Sequence, residues 1–129
     1  EAIALRVIEN SLALGWDERY GGLTYLMDLA GQPTLQLESS MKLWWPLTEA
    51  LYALVCAYAR TRDERWIRWL ERVDRYAYEH FCDPVCGEWY GYCDREGHLT
   101  HTCKGGNYKG CFHVPRALWL CGNVLEEMV

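Results

Sequence analysis

Two short segments of the sequence combine aromatic and acid–base side chains at places where a helix is expected to begin. The first, residues 42–51, reads Lys-Leu-Trp-Trp-Pro-Leu-Thr-Glu-Ala-Leu. Pro46 suits the first helical position, because the N–H that it lacks would be unpaired there in any case. This predicts that Trp44 and Trp45 lie just outside the helix and that Glu49 lies in its first turn. Trp45 is then a candidate platform for a sugar ring and Glu49 a candidate acceptor for hydroxyl groups. The alternative is a capped helix with a favourable first-turn acid.

The second segment, residues 104–118, reads Lys-Gly-Gly-Asn-Tyr-Lys-Gly-Cys-Phe-His-Val-Pro-Arg-Ala-Leu. Pro115 again marks a helix start, which places His113 at the amino-terminal edge of a helix. The positive end of the helix dipole disfavours an imidazolium ion there, so a larger share of the imidazole is neutral and able to accept a proton. His113 is therefore a candidate general base, and a capping or structural histidine is the alternative.

Apolar periodicity predicts four helices of two kinds that must position these segments. Residues 2–14 and 64–81 each carry one apolar stripe with charged residues beside it, which is typical of a surface helix. Residues 50–59 carry no charge, and the helix predicted at 115–128 is uncharged from 117 to 125. We expect both of these helices to be surrounded by protein. The predicted fold class is therefore all-α, with helices in the order outer, inner, outer, inner.

The helices are predicted to form two copies of one unit, at about residues 1–60 and 64–129, within a single partial domain. In each unit an outer helix leads through a Gly-rich β-ribbon and an Asp-x-x-Gly turn to an inner helix. Eight residues recur in order at offsets of 65 to 67, namely Asp17, Gly22, Asp28, Gly31, Lys42, Trp45, Ala50 and Leu51, as Asp83, Gly87, Asp94, Gly97, Lys109, Phe112, Ala117 and Leu118. Two such units are too few to bury their inner helices, so we expect a larger helical ring or assembly with other copies.

Composition limits the partners that the protein is expected to bind. The 129 residues are 50% hydrophobic and 24% charged, which is typical of one globular domain. A net charge of −5 without a concentrated basic face argues against nucleic acid. No apolar stretch is long enough to predict a membrane span, and residues 1–6 show no signal-peptide pattern. Seven Trp and nine Tyr predict an aromatic core or an aromatic-lined cavity.

The cysteines indicate a reducing compartment and no metal site. Their number, seven, is odd and excludes a fully paired disulfide framework within one chain. We therefore expect a cytoplasmic protein. The potential ligands between residues 82 and 103 do not follow the paired C-x2-C spacing of structural zinc sites, so no metal is predicted. These ligands are Cys82, Cys86, Cys93, His98, His101 and Cys103.

Three motifs together resemble the carboxyl-terminal third of the N-acylglucosamine 2-epimerase family, also called the renin-binding protein family. They are Lys-Leu-Trp-Trp-Pro-x-x-Glu-Ala from residue 42, Gly-Glu-Trp from residue 87, and Lys-Gly-Gly-x-x-Lys-Gly-Cys-Phe-His-Val-Pro-Arg from residue 104. The resemblance implies part of an (α/α)6 barrel around a sugar-binding cavity. It also implies that N-acetyl-D-glucosamine and N-acetyl-D-mannosamine are interconverted by proton transfer at C2 of the open-chain sugar.

The resemblance also implies roles for single residues. His113 is expected to be one acid/base group with Arg116 beside it, and Trp45 and Glu49 are expected to contact the substrate or orient the catalytic groups. Inversion at C2 needs a second acid/base group on the opposite face of the sugar. The family's second catalytic histidine has no match here and is expected before Glu1, so we predict that this chain alone is inactive.

The sequence is also compatible with other functions. A related aldose–ketose isomerase or a cellobiose or mannose 2-epimerase would use similar chemistry, and a non-enzymatic protein-binding module is the third alternative. The family resemblance implies no cofactor, allows a nucleotide as allosteric effector, and is compatible with a homodimer or a protein partner.

Overall fold

The structure is a computed structural model that describes residues 1–128; Val129, at the end of the second predicted unit, lies outside the described residues. It contains four helices and two short strands. In chain order these are α1 (Ala2–Gly15), β1 (Lys42–Leu43), α2 (Trp44–Thr61), α3 (Glu64–His80), β2 (Tyr92–Cys93) and α4 (His113–Glu126). None of the four helices within this part of the chain combines the length and apolarity that a bilayer crossing requires.

Helix α3 shows the pattern predicted for a surface helix. Asp63 caps it by accepting a hydrogen bond from the backbone N–H of Arg65 at 2.9 Å. Trp66, Val73 and Ala77 lie on one stripe and are buried, because residues three, four and seven apart share a helix face. The stripe attaches α3 to the protein core.

Helix α2 lies at the centre of the described structure. It contributes seven buried side chains and packs against both α3 and α4. The buried residues are Trp44, Leu47, Thr48, Leu51, Leu54, Val55 and Ala57. The prediction of an inner helix at residues 50–59 is therefore confirmed.

Helix α4 is covered on one side by the described residues. Val114 and Ala117 are buried, whereas Leu118, Trp119 and Leu125 are exposed. In residues 1–128, α4 contacts neighbours on one side, so its uncharged sequence is not enclosed all round. The charge pattern predicted an apolar helix correctly, but it did not reveal which faces are covered.

Both helix starts lie two residues earlier than the prolines predicted. Helix α2 begins at Trp44 and α4 begins at His113. The first four N–H groups of a helix have no acceptor within it, so proline fits throughout the first turn and does not mark its first residue. As a correction, Trp44 and Trp45 lie inside the first turn of α2, and Glu49 lies in the second.

The predicted β-ribbons are reduced to short bridges. The predicted ribbons span residues 18–28 and 87–94. Trp16 and Cys82, which precede them, pair with Leu23 and Trp89 as isolated bridges. The two-residue ladder instead joins β1 and β2 antiparallel, with Lys42 opposite Cys93 and Leu43 opposite Tyr92. The alternating pattern therefore marked extended backbone but not the correct partner. The predicted Asp-x-x-Gly turns are both present.

Each outer helix is followed by a tight turn that begins at an aspartate. The backbone N–H of Gly21 donates to the carbonyl of Asp17 at 2.7 Å, and that of Gly87 donates to the carbonyl of Asp83 at 3.0 Å. The structural counterpart of Gly87 is therefore Gly21, and not Gly22 as the sequence repeat paired them. The division of the chain into two units stays a prediction.

Candidate functional site

The starts of α2 and α4 lie side by side and bring an acid, a base and an arginine into contact. Nδ1 of His113 is 2.8 Å from Oε1 of Glu49. Nη2 of Arg116 donates to both carboxylate oxygens of Glu49. Glu49 thus bridges the two side chains that α4 presents, although 64 residues separate it from His113 in the chain.

Glu49 determines which nitrogen of His113 carries the proton. Burial alone raises the pKa of Glu49, but hydrogen bonds from Arg116 and His113 outweigh it and hold that pKa below its usual range. Hydrogen bonding to Glu49 raises the pKa of Arg116 in turn. An ionised carboxylate is an acceptor only, so Nδ1 of His113 donates to it, and in the neutral imidazole the lone pair is then on Nε2. The arrangement prepares Nε2 to accept a proton.

Aromatic rings form the walls of a cleft beside His113. The ring of Trp45 is 5.8 Å from the imidazole at an interplanar angle of 34°, and Trp44 meets it edge-on at 6.4 Å. Tyr25 meets Trp45 edge-on at 6.2 Å. The cleft has a volume of 590 Å³ and is lined by Tyr25, Glu38, Leu43, Trp44, Trp45, Tyr92, Tyr108 and His113. A cleft of this size, with aromatic walls and polar groups that include Glu38 and His113, is typical of small-molecule sites.

The structure brings together all four side chains that the sequence singled out. Trp45 and His113 line the cleft, while Glu49 hydrogen-bonds the imidazole and Arg116 hydrogen-bonds Glu49. Sequence reasoning did not select the tyrosines of the cleft, Tyr25, Tyr92 and Tyr108. The excess of tyrosine was a signal for them, but it could not indicate which rings face the cleft.

The other three histidines have different surroundings. His80 stacks on Tyr76 at 4.1 Å, and its Nδ1 is 2.9 Å from the carbonyl of Gly97. The side chain of His98 is 78% exposed beside Asp94, and His101 lies near Tyr92. Among residues 1–128, none of these three lines the cleft that contains His113.

In the described residues the cysteines do not form a cluster of potential metal ligands. The group of three ligand atoms close enough to share an ion consists of Asp94, Glu96 and His98, which lie in or beside an exposed turn. No cysteine in the described part of the chain joins such a group. All seven cysteines lie there as free thiols. That the protein binds no metal stays a prediction.

Solved structures of similar shape define the class of fold. A D-mannose isomerase superposes with a TM-score of 0.74 at 22% identity, over 90% of this chain and 28% of that one. A cellobiose 2-epimerase from Spirochaeta thermophila superposes with a TM-score of 0.73 at 22% identity, over 98% of this chain and 29% of that one. The chain is therefore an all-α protein whose helices form part of an (α/α)6 barrel.

Sequence similarity then identifies the family. The family model of N-acylglucosamine 2-epimerase (GlcNAc 2-epimerase) matches residues 1–117, and this chain belongs to that family. The N-acylglucosamine 2-epimerases of Bos taurus and Homo sapiens are each 45% identical to it over 95% of its length. The chain spans 30% of the length of these two relatives.

Proposed function

We propose that the protein interconverts N-acetyl-D-glucosamine and N-acetyl-D-mannosamine by moving the proton at C2 of the open-chain sugar. One observation carries the proposal: the imidazole of His113 lines an aromatic cleft and is hydrogen-bonded to Glu49, which Arg116 holds in turn. The 45% identity to proteins named N-acylglucosamine 2-epimerase supports the same reaction.

The geometry suits proton abstraction beside a carbonyl. In the open-chain sugar the C1 aldehyde acidifies the C2–H bond, and the lone pair on Nε2 of His113 takes that proton. The electrons of the broken bond form a C1–C2 double bond, and the negative charge moves to the oxygen on C1. Glu49 accepts from Nδ1–H throughout, so it stabilises the imidazolium ion that forms.

The new configuration arises when a proton returns to C2 from the opposite face. His113 stands on one face only, so the proposed reaction requires a second acid/base group. No other histidine within residues 1–128 lines the cleft, and we therefore propose that the isolated chain does not turn over sugar. The ring of Trp45 is proposed to pack on the C–H face of the substrate.

Replacement of His113 tests the proposal. In the protein expressed from its complete coding sequence, His113→Ala is expected to lower turnover of N-acetyl-D-mannosamine by about a hundredfold or more, because the acid/base group is lost. The matched control is His98→Ala, which removes an exposed histidine outside the cleft. NMR in D2O follows both product formation and deuterium incorporation at C2. Near-normal turnover by a folded His113→Ala variant would exclude His113 from the mechanism.

A related isomerase is the second candidate, because the fold is shared with a D-mannose isomerase. That reaction would move the carbonyl between C1 and C2 through the same intermediate. Assays with mannose and with N-acetyl-D-mannosamine separate the two candidates. Conversion of mannose to fructose, with N-acetyl-D-mannosamine untouched, would favour the isomerase. Conversion of mannose to glucose would indicate a mannose 2-epimerase, and conversion of added cellobiose to glucosyl-mannose would indicate a cellobiose 2-epimerase.

A protein-binding role is the third candidate, and the exposed apolar side chains of α4 favour it. Leu118, Trp119 and Leu125 are exposed in the described structure. Binding of a purified protein partner that persists in the His113→Ala variant and in excess sugar would support this role, and competition by sugar would count against it.

The cofactor requirement, the nucleotide effect and the oligomeric state can each be tested. The reaction needs no cofactor, because acid–base groups alone can move the C2 proton. Assays with and without a nucleoside triphosphate test an allosteric effect, and sedimentation tests whether the protein forms the homodimer that the family resemblance allows. The free cysteines agree with the proposed cytoplasmic location.

A further inference from the structure

Glu88 has a backbone conformation that its side chain disfavours. Its φ is 61°, and Arg62 is the other non-glycine residue of positive φ among residues 1–128. In the corresponding turn after α1 this place is held by Gly22, with φ 74°. Gly22 and Glu88 are equivalent because they accept the same hydrogen bond. The N–H of Asp17 donates to the carbonyl of Gly22 at 2.9 Å, and the N–H of Asp83 donates to the carbonyl of Glu88 at 3.0 Å. A side chain kept where glycine fits better points to a use for that side chain.

The carboxylate of Glu88 pairs with a buried lysine. Nζ of Lys109 donates to Oε2 of Glu88 at 2.6 Å, and the lysine side chain is 2% exposed. The same ammonium group donates to the carbonyl of Lys104 at 2.9 Å and lies 5.7 Å from the ring centroid of Trp44. Glu88 therefore supplies the carboxylate partner of an ammonium group that also touches the backbone and a wall of the cleft.

These contacts lead directly to the candidate base. The N–H of Gly106 donates to the carbonyl of Lys109 at 3.0 Å, which closes a turn within the loop, and the loop continues into His113. Trp44, on which the ammonium group rests, meets the imidazole edge-on. Lys109 is thus in contact with both structures that border His113.

No other carboxylate is available to Lys109 in the described residues. In the first turn Asp17 accepts from Lys42, but its counterpart Asp83 is already paired with Lys104 and with the hydroxyl of Tyr90. Without Glu88 the buried ammonium group would lose its charged partner, and it would have to move toward water or lose its proton. Either change would weaken the contacts of Lys109 with the carbonyl of Lys104 and with Trp44, and would loosen the loop at Lys109.

We propose that Glu88 is a positioning residue. It holds Lys109, and Lys109 in turn holds Trp44 and the loop of residues 104–112, which leads into α4, so that His113 faces the cleft. This inference rests on the proposed function for its effect on turnover, whereas its effect on the loop is independent of any activity.

The test compares two substitutions of Glu88 in the protein expressed from its complete coding sequence. Glu88→Gly suits the left-handed backbone better than the native residue, so a loss of function cannot come from backbone strain. Glu88→Gln keeps the size and an acceptor but removes the charge. The matched control is Glu18→Gln, which removes an exposed ion pair to Arg72 at 2.9 Å. Circular dichroism and thermal unfolding verify that each variant is folded.

Both variants are expected to lower kcat about tenfold to a hundredfold, as misplacement of a catalytic group does, with KM changed less than about twofold. Glu88→Asp is expected to recover part of the loss. Hydrogen exchange of the 104–112 amides is expected to become at least about threefold faster in both variants, but not in the control.

The outcomes are distinguishable. Unchanged exchange in the 104–112 loop, or kcat within about twofold of the wild type in both folded variants, would overturn the positioning role. A wild-type protein that does not epimerise N-acetyl-D-mannosamine would overturn the proposed function, and the exchange measurement would still decide the contact between Glu88 and the loop.

Discussion

The two buried lysines ahead of the inner helices, Lys42 and Lys109, are neutralised in different ways. Lys42 is fully buried and donates to Asp17 at 3.1 Å, whose side chain is 4% exposed. Asp17 also accepts from Arg95 at 3.1 Å. Lys109 is buried as well, but its partner Glu88 has a side chain that is 44% exposed.

The difference shows that a lysine at the same place in the sequence repeat can have two different roles. In the first turn both partners are enclosed by protein, so the ion pair is part of the core. In the second turn the lysine contacts a loop and a wall of the cleft, and its acid reaches solvent. We infer that the first pair acts mainly on stability and the second mainly on the geometry of the site.

The largest expected effect on stability comes from replacing the buried acid Asp17. Asp17→Asn removes the charged partner of Lys42 and is expected to lower the free energy of unfolding by about 3 to 5 kcal/mol, because an uncompensated charge stays buried. Asp83→Asn is the matched variant and should cost less, since the side chain of its partner Lys104 is 24% exposed. Urea denaturation measures both. Equal losses would contradict the contrast between the two turns.

A smaller effect is expected from the paired glycines. Gly21 and Gly87 have φ of 76° and 68°, so alanine is disfavoured by the backbone to the same extent at both. A Cβ at Gly21 would lie 2.9 Å from Cδ2 of Tyr76, whereas at Gly87 it would meet no atom of the described residues within 4 Å. Gly21→Ala should therefore destabilise by about 1 to 3 kcal/mol more than Gly87→Ala, which is the usual cost of overpacking. Thermal unfolding of the two variants gives the difference, and similar midpoints would show that Tyr76 moves aside.

The smallest expected effect is a loss of stability at low pH. Burial alone raises the pKa of Asp17, but hydrogen bonds from Arg95 and Lys42 outweigh it and lower that pKa from 3.8 to about 2. Because the pKa is lower in the folded state, Asp17 stabilises the protein fully above its unfolded value, and this contribution is lost as the pH falls toward 2. The loss attributable to Asp17 is about 1.5 kcal/mol between pH 3.8 and pH 2.

Urea titrations at several pH values, in the wild type and in Asp17→Asn, isolate that contribution. The variant is expected to lose less stability than the wild type over this interval. Parallel pH profiles would mean that Asp17 is not the group responsible.

The sequence predicted much of the fold because helices are determined by near neighbours. The stripe of α3, the uncharged run of α2 and the Asp-x-x-Gly turns are all local signals, and the structure contains each of them. The starts of α2 and α4 were misplaced, since proline is tolerated throughout the first turn. The ribbons were predicted too long, because alternation marks extended backbone but does not identify the strand that pairs with it.

In the candidate site, too, local features were predicted from the sequence and features that depend on packing were not. Its residue types and their position at helix starts could be read from two short motifs, and the family resemblance assigned a role to each side chain. The tyrosines of the cleft were missed, because nothing local distinguishes Tyr25 or Tyr108 from a core ring.

By itself, the sequence indicated the helices, the two motifs at the starts of α2 and α4, and the family to which the chain belongs. Only the tertiary structure decided that Glu49 meets His113 across 64 residues, and that Lys42 pairs with Asp17 whereas Lys109 pairs with Glu88. The reason is physical: periodicity and turn chemistry depend on residues a few positions apart, whereas the partner of a charged or hydrogen-bonding group depends on which atoms packing brings within about 3 Å and on what shields them from water.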